Sequence, residues 1–309
     1  MIRPPYLQKG DKIAIVAPAG RVERDYVDNA VRRFESWGYE VVVGDNVFNS
    51  YNTFSARDDQ RLRDMQLALD SHEIRAIVCA RGGYGSIRII DKLDYSTFQG
   101  NPKWLIGFSD ITVLHAKLNV LGVESLHAPM PINFPADASV PEDIMWTQRI
   151  LEGEIPQYNF AGHELNREGE VAGEIIGGNL SVIYSLRGVN IQWDKQGKIL
   201  FIEDVGEELY HLDRMMQNLK MAGSFDKLEG LIVGEMTNMK DGDPSFGKNA
   251  YEIIAEAVEE YKFPVAYGFF AGHGSVNKPL IFGANVSLSV SKDSCVLDFN
   301  TNVHPQRFL

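Results

Sequence analysis

The alternation of short apolar runs with stretches of helical period constrains this chain most. Residues 12–18 (KIAIVAP) form an apolar run that leads into Ala19 and Gly20. A helical pattern follows from about residue 23 to 37, and Gly38 supplies its stop. The unit then repeats. Residues 39–43 (YEVVV) read as a second strand. Ser55 and Asp58 open a helix facing inward through Leu62, Met65 and Leu69, and residues 76–80 (AIVCA) and 104–108 (WLIGF) give strands three and four. Strands alternating with helices pair in parallel through right-handed crossovers. The loops after the strands therefore gather at one edge, where open α/β sheets hold their ligands. The expected architecture is α/β, beginning with an open, mainly parallel sheet flanked by helices.

The texture changes after Pro129. Residues 130–169 carry Pro131, Pro135, Pro141 and Pro156 in mixed polar sequence, which reads as a crossing between domains. The pattern divides the chain into a first domain over 1–135, a linker over 136–169 and a C-terminal α/β domain rich in strands over 170–309. That second domain offers residues 171–183 (VAGEIIGGNLSVI), a strand at 198–203 (KILFIE) and a helix from about 207 to 221 closed by Gly223. A strand at 228–235 (LEGLIVGE) and a helix around 251–261 follow.

With 309 residues, 44% of them hydrophobic, the chain has ample material for two cores. A net charge of −12 opposes a nucleic-acid or anionic-membrane partner, because a phosphate surface selects for clustered Lys and Arg. The two cysteines, Cys79 and Cys295, give neither metal-ligand spacing nor a disulfide framework. The opening residues MIRPPYLQKGDKI lack the apolar core of a signal peptide, and no run approaches the length of a membrane span, so the expected compartment is the cytoplasm.

Four segments place chemistry-bearing side chains at element ends. In residues 104–112 (WLIGFSDIT) an apolar strand stops at a glycine and presents Ser109 just before a helix. There a hydroxyl stands clear of the sheet and the next amide faces a developing oxyanion, although Ser is equally suited to capping the helix. RGGYG, residues 81–85, brings backbone amides close to an anion but lacks the third glycine of a dinucleotide fingerprint. Glu203 and Asp204 end an apolar strand, a position that ordinary helix-start acidity also explains. His273 lies between two glycines; loop histidines are mostly solvated, but histidine is also the side chain suited to act as a base near neutral pH. Together the segments supply a nucleophile, a base, a carboxylate and a donor loop, the set that acyl transfer requires.

On PPYLQKGDKIAIVAPAG (4–20), ARGGYGSIRIID (80–91), GFSDIT (107–112), LHAPM (126–130), IIGGNLSVI (175–183), LFIEDVGEELYHLDRM (200–215) and GHGSVNKPLIFGA (272–284), the chain resembles the LD-carboxypeptidases. These are serine peptidases that trim D-alanine from peptidoglycan tetrapeptides, and the family includes the microcin C immunity proteins. The resemblance implies Ser109 as nucleophile, Glu203 as orienting carboxylate and His273 as general base, in a cleft between the two domains. It implies no metal or organic cofactor, a murein peptide as substrate with mesodiaminopimelate or lysine at its third position, and a homodimer. The amides of Asp110 and Gly83 are the expected oxyanion donors. Arg81 is the candidate for the substrate's terminal carboxylate, with pairing to a nearby acid as its rival role. Asn179 either caps a helix or donates to substrate, and His127 is placed to line the pocket.

Three other activities are consistent with parts of this pattern: a microcin-type amide hydrolase, an α/β-hydrolase esterase, and a silent peptidoglycan-fragment binding protein. The first tends to be longer; the second has glycine where this chain has Ile111. The third has no need of the three residues. His211 reads as structural or surface, and His72, His115, His163 and His304 have no constellation around them.

Overall fold

A computed structural model describes residues 1–137, 139–191 and 194–300; His304 and the rest of 301–309 lie outside the described residues. The chain divides into two compact units, residues 1–154 with 278–282, and residues 155–277 with those from 283 onward.

The first unit runs β1 (Lys12–Val16), α1 (Arg24–Ser36), β2 (Glu40–Val43), α2 (Asp58–Asp70), β3 (Ile74–Cys79), α3 (Ser96–Gly100), β4 (Trp104–Gly107), α4 (Thr112–Val120), β5 (Ser125–His127) and α5 (Glu142–Leu151). These five strands pair in parallel, β2 and β3 flanking β1, then β4 and β5 beyond β3. β4 is buried at every position and β3 at all but one, as a parallel sheet covered on both faces requires. α1 turns Val27, Ala30 and Phe34 inward and stops where Gly38 takes φ +95°.

α2 departs from its apolar periodicity. Its buried face carries Arg61 and Asp64 beside Met65, Ala68 and Leu69, while Leu62 is only half-buried. Both polar residues are stabilised inside by partners from loops. Asp64 accepts the amide of Asn46 at 2.8 Å and its Nδ2 at 2.7 Å. Arg61 donates to the carbonyls of Pro18 and Gly85 and pairs with Asp58. Ser55 does not start the helix; it donates to the carbonyl of Ala17 and pins the loop after β1. Buried Lys103 closes the other end of α2, donating to the carbonyls of Ala68, Leu69 and Ser71 at 3.1, 2.9 and 2.6 Å.

The second unit runs β6 (Gln157–Ala161), β7 (Gly169–Asn179), α6 (Leu180–Ser185), β8 (Lys198–Val205), α7 (Leu209–Met221), β9 (Leu228–Thr237), α8 (Ala250–Ala257) and β10 (Val265–Tyr267). The chain then contributes β11 (Leu280–Phe282) to the first sheet, antiparallel to β5, before β12 (Asn285–Val290) and β13 (Ser294–Asp298) complete the second. The sheets have orders β11-β5-β4-β3-β1-β2 and β10-β9-β8-β7-β12-β13-β6. In the second, β10, β9, β8 and β7 are parallel, and β12, β13 and β6 extend them antiparallel. The architecture is therefore the expected mixed α/β, with two sheets flanked by helices. Residues 136–169, read as a linker, hold α5 and β6. The prolines there mark element borders rather than open chain, with Pro141 preceding α5 and Pro156 preceding β6.

Candidate active site

In the first unit, β4 ends at Gly107 and the chain enters a 3-10 turn, Ser109–Ile111, before α4. Ser109 adopts φ +64°, a left-handed conformation that is costly for a residue with a Cβ and that recurs where a side chain must be held at a sharp turn. The N-cap position of α4 is Ile111.

RGGYG follows β3, next to β4 in the sheet, and packs onto this turn. A Cβ on Gly82 would stand 2.8 Å from Ser109 Cβ, 2.9 Å from its Oγ and 3.4 Å from the amide nitrogen of Asp110. Only a glycine lets the two loops approach this closely. The Asp110 carboxylate reinforces the contact by accepting the Ser86 amide at 2.8 Å. Burial raises its pKa, and the bonds from Ser86 and the charge of Arg61 oppose the rise. Arg61, through its bond to Gly85, braces the loop from behind. Gly83 lies within this loop at φ +97°. Arg81 is exposed and donates to the carbonyl of Arg21 at 2.9 Å rather than to an acid.

In the second unit, β8 carries Glu203 at its C-terminal end, fully buried. The pairing of β8 with β9 shifts here. Ile202 stands opposite Val233 and Asp204 opposite Met236, so two residues of β9, Gly234 and Glu235, face the one residue Glu203. Such a bulge re-aims side chains. The loop after β10 folds over it. The Glu235 amide donates to the carbonyl of Ala271 at 3.1 Å, and the Gly272 amide to Asn277 Oδ1 at 3.0 Å. His273 then places Nδ1 2.7 Å from Glu203 Oε2. Burial disfavours the charged ring, but the hydrogen bond and charge of Glu203, with the charge of Asp204, outweigh it and raise the histidine pKa above its usual value.

Asp204, next to Glu203 and also buried, is pushed up to about 7 by burial and by the charge of Glu203. It accepts Asn179 Nδ2 and the amide of Ser181, both at 2.9 Å. Asn179 caps α6, its Oδ1 accepting the amide of Val182. His127 is fully buried, its ring 5.7 Å from Phe108 and 5.4 Å from Phe282. His115 has a setting that sequence spacing did not reveal. Its two ring nitrogens lie 2.8 Å from the carbonyl of Gly107 and 2.8 Å from Ser125 Oγ, and burial lowers its pKa to about 4. As a neutral ring it ties β4 and β5 just behind the Ser109 turn. His211 meets Glu207 within α7 and its leading loop. Cys79 and Cys295 are buried free thiols. Among the described residues no group of three or more His, Cys, Asp or Glu is placed to hold a metal ion, and no helix is long and apolar enough to cross a membrane.

The strand connectivity separates this arrangement from the α/β-hydrolase alternative. Ser109 follows a strand of one sheet, whereas Glu203 lies on a strand of another and His273 follows one; an α/β-hydrolase draws all three from a single sheet. The first unit thus carries a strained serine and a braced glycine loop, and the second a carboxylate-bound histidine, each at the end of a strand or in the loop that follows it. Comparison with known proteins agrees. Residues 13–128 match the LD-carboxypeptidase N-terminal domain and residues 172–288 the LD-carboxypeptidase C-terminal domain. A putative carboxypeptidase of Synechocystis is 30% identical over 93% of this chain and 94% of its own. A probable murein peptide carboxypeptidase of Bacillus subtilis is 29% identical over 96% and 94%. The crystal structure of muramoyltetrapeptide carboxypeptidase from Oxalobacter formigenes superposes with a TM-score of 0.85 at 26% identity, covering 93% of this chain and 98% of that one. The chain belongs to the LD-carboxypeptidase family and is thereby a peptidase. The microcin C7 self-immunity protein MccF, in complex with aspartyl sulfamoyl adenosine, shares the fold with a TM-score of 0.86 at 21% identity over 96% of this chain and 98% of its own.

Proposed function

We propose that this protein is a cytoplasmic serine carboxypeptidase that hydrolyses an L,D peptide bond, releasing terminal D-alanine from a murein tetrapeptide in peptidoglycan recycling. The observation that supports this reading is the Glu203–His273 pair at 2.7 Å, a geometry suited to holding the proton on Nδ1 and leaving Nε2 to act as the base. In this reaction His273 Nε2 takes the proton of Ser109 Oγ as the oxygen attacks the scissile carbonyl. The amides of Asp110 and Gly83 stabilise the oxyanion, each such donor being worth on the order of a hundredfold or more in turnover. The protonated ring returns its proton to the departing D-alanine amine, and water then resolves the acyl-enzyme by the same route in reverse. Arg81, exposed on the glycine loop, is our candidate for the terminal carboxylate. A homodimer remains part of this reading.

The test incubates the protein with a murein tetrapeptide ending in D-alanine and follows the products by mass spectrometry. D-alanine is the expected product; intact peptide with both the diaminopimelate and the lysine forms would replace this reading with the microcin-type amide hydrolase. The same assay run against pH checks the base. His273 is raised above its ordinary value of 6.5, and only its neutral form accepts a proton. The ascending limb of kcat/KM is therefore expected above pH 6.5; a limb at or below that value, with chemistry rate-limiting, would remove His273 from the role. Gly82→Ala is expected to lower kcat by roughly a hundredfold, because the added methyl must displace Ser109, the atom it would meet at 2.8 Å. Steady-state kinetics on the folded variant reads this directly.

A further inference from the structure

Glu235 is not accounted for by the mechanism above, yet it shares the bulge that aims Glu203. Its carboxylate lies against the backbone of the histidine loop. A Cβ built on Gly274 would fall 1.2 Å from Glu235 Oε2, so the carboxylate fills the space beside the residue that follows His273. It is partly exposed, whereas Glu203 beneath it is fully buried. None of the described ion pairs engages it; those nearby join Glu203 to His273 and Glu207 to His211. Burial and the charge of Glu203 both raise its pKa, so its ionised form lacks a compensating cation. Three further carboxylates, Glu203, Asp204 and Glu207, stand at the same end of β8 and its following loop.

We infer that Glu235 is a specificity-determining residue that receives the side-chain ammonium of the diamino acid immediately before the released D-amino acid. The inference rests on the carboxypeptidase reading. In an L,D cleavage that diamino acid supplies the scissile carbonyl, so its side chain leaves the backbone within reach of the base. A partly exposed carboxylate at the edge of the base's own loop is the group such a cation meets first. An ammonium there completes a charge that the fold leaves without a partner and gains a charge-assisted hydrogen bond. An uncharged side chain at the same position leaves Glu235 desolvated and unpaired, which is how a site rejects an analogue lacking one polar group.

The experiment measures kcat/KM for two tetrapeptides ending in D-alanine, one with lysine before the D-alanine and one with Nε-acetyl-lysine. Wild type and Glu235→Gln are compared. The amide keeps the shape beside Gly274 and removes the charge. The wild type is expected to prefer the lysine peptide by tenfold or more. Glu235→Gln is expected to lose that preference by falling on the lysine peptide and rising on the acetylated one, since the neutral amide leaves no charge unpaired beside an uncharged side chain. Equal losses on both peptides would make Glu235 a support of the histidine loop and overturn the inference, as would an unchanged ratio. Release of D-alanine from neither peptide by the wild type would remove the carboxypeptidase reading and this inference with it.

Discussion

Ser109→Ala is expected to lower kcat for D-alanine release by roughly 10⁴-fold or more, the scale on which triad enzymes lose turnover when the nucleophile goes. The substitution removes only the Oγ that the proposed reaction uses. Alanine carries the same Cβ as serine, so it inherits the same cost at φ +64° and the melting temperature is expected to change little. The contrast with Ser109→Gly separates chemistry from folding. Glycine adopts that φ without penalty, so this variant is expected to be equally inactive yet more stable by about 1 kcal/mol, read as a higher melting temperature. A serine held in a conformation that costs stability fits a site where the fold gives up stability for function. Residual release by Ser109→Ala within tenfold of the wild type would show that another group attacks.

Glu203→Gln is expected to lower kcat by roughly 10³- to 10⁴-fold, because an amide no longer holds the imidazole in the tautomer that presents Nε2 as acceptor and no longer stabilises the imidazolium. The buried position makes a second signature available. The pKa of His273 reflects burial, which lowers it, against the bond and charge of Glu203, which raise it. Removing that charge leaves burial dominant, so the ascending limb of the residual activity is expected to move to lower pH than in the wild type. Asp204 should respond as well, since part of its elevation to about 7 comes from Glu203. Loss of rate with an unmoved limb would mean that Glu203 supports the loop without acting on the base.

The sequence was informative where one local rule governed. Alternating apolar runs placed the strands and helices of the first sheet, and polar residues at element ends marked Ser109, Glu203 and His273 as candidates. It was least informative where long-range partners decide. Arg61 and Asp64 sit on the buried face of α2 because carbonyls and amides from distant loops satisfy them, and no helical periodicity reports such partners. His115 is accommodated in the interior because Gly107 and Ser125 come to its ring nitrogens from two strands, and burial lowers its pKa. Glu235 ends an apolar strand as Glu203 does, and that shared pattern was the available signal; the bulge that sets the two side by side depends on the register between β8 and β9, which neither strand encodes alone. The prolines of 136–169 marked real borders, but borders of α5 and β6 as much as of a crossing.

The three residues of β11 bear on how this chain can be divided. They lie just beyond the histidine loop, yet they hydrogen-bond to β5 and close that edge of the first sheet. Neither unit is therefore a contiguous stretch of polypeptide. A fragment ending at residue 154 would leave β5 as a bare edge, the kind of surface on which strands of other molecules pair. Exchange of halves between relatives by a single crossover would carry β11 away from the sheet it seals. A crossover that keeps the first sheet whole would have to keep residues 280–282 with residues 1–154.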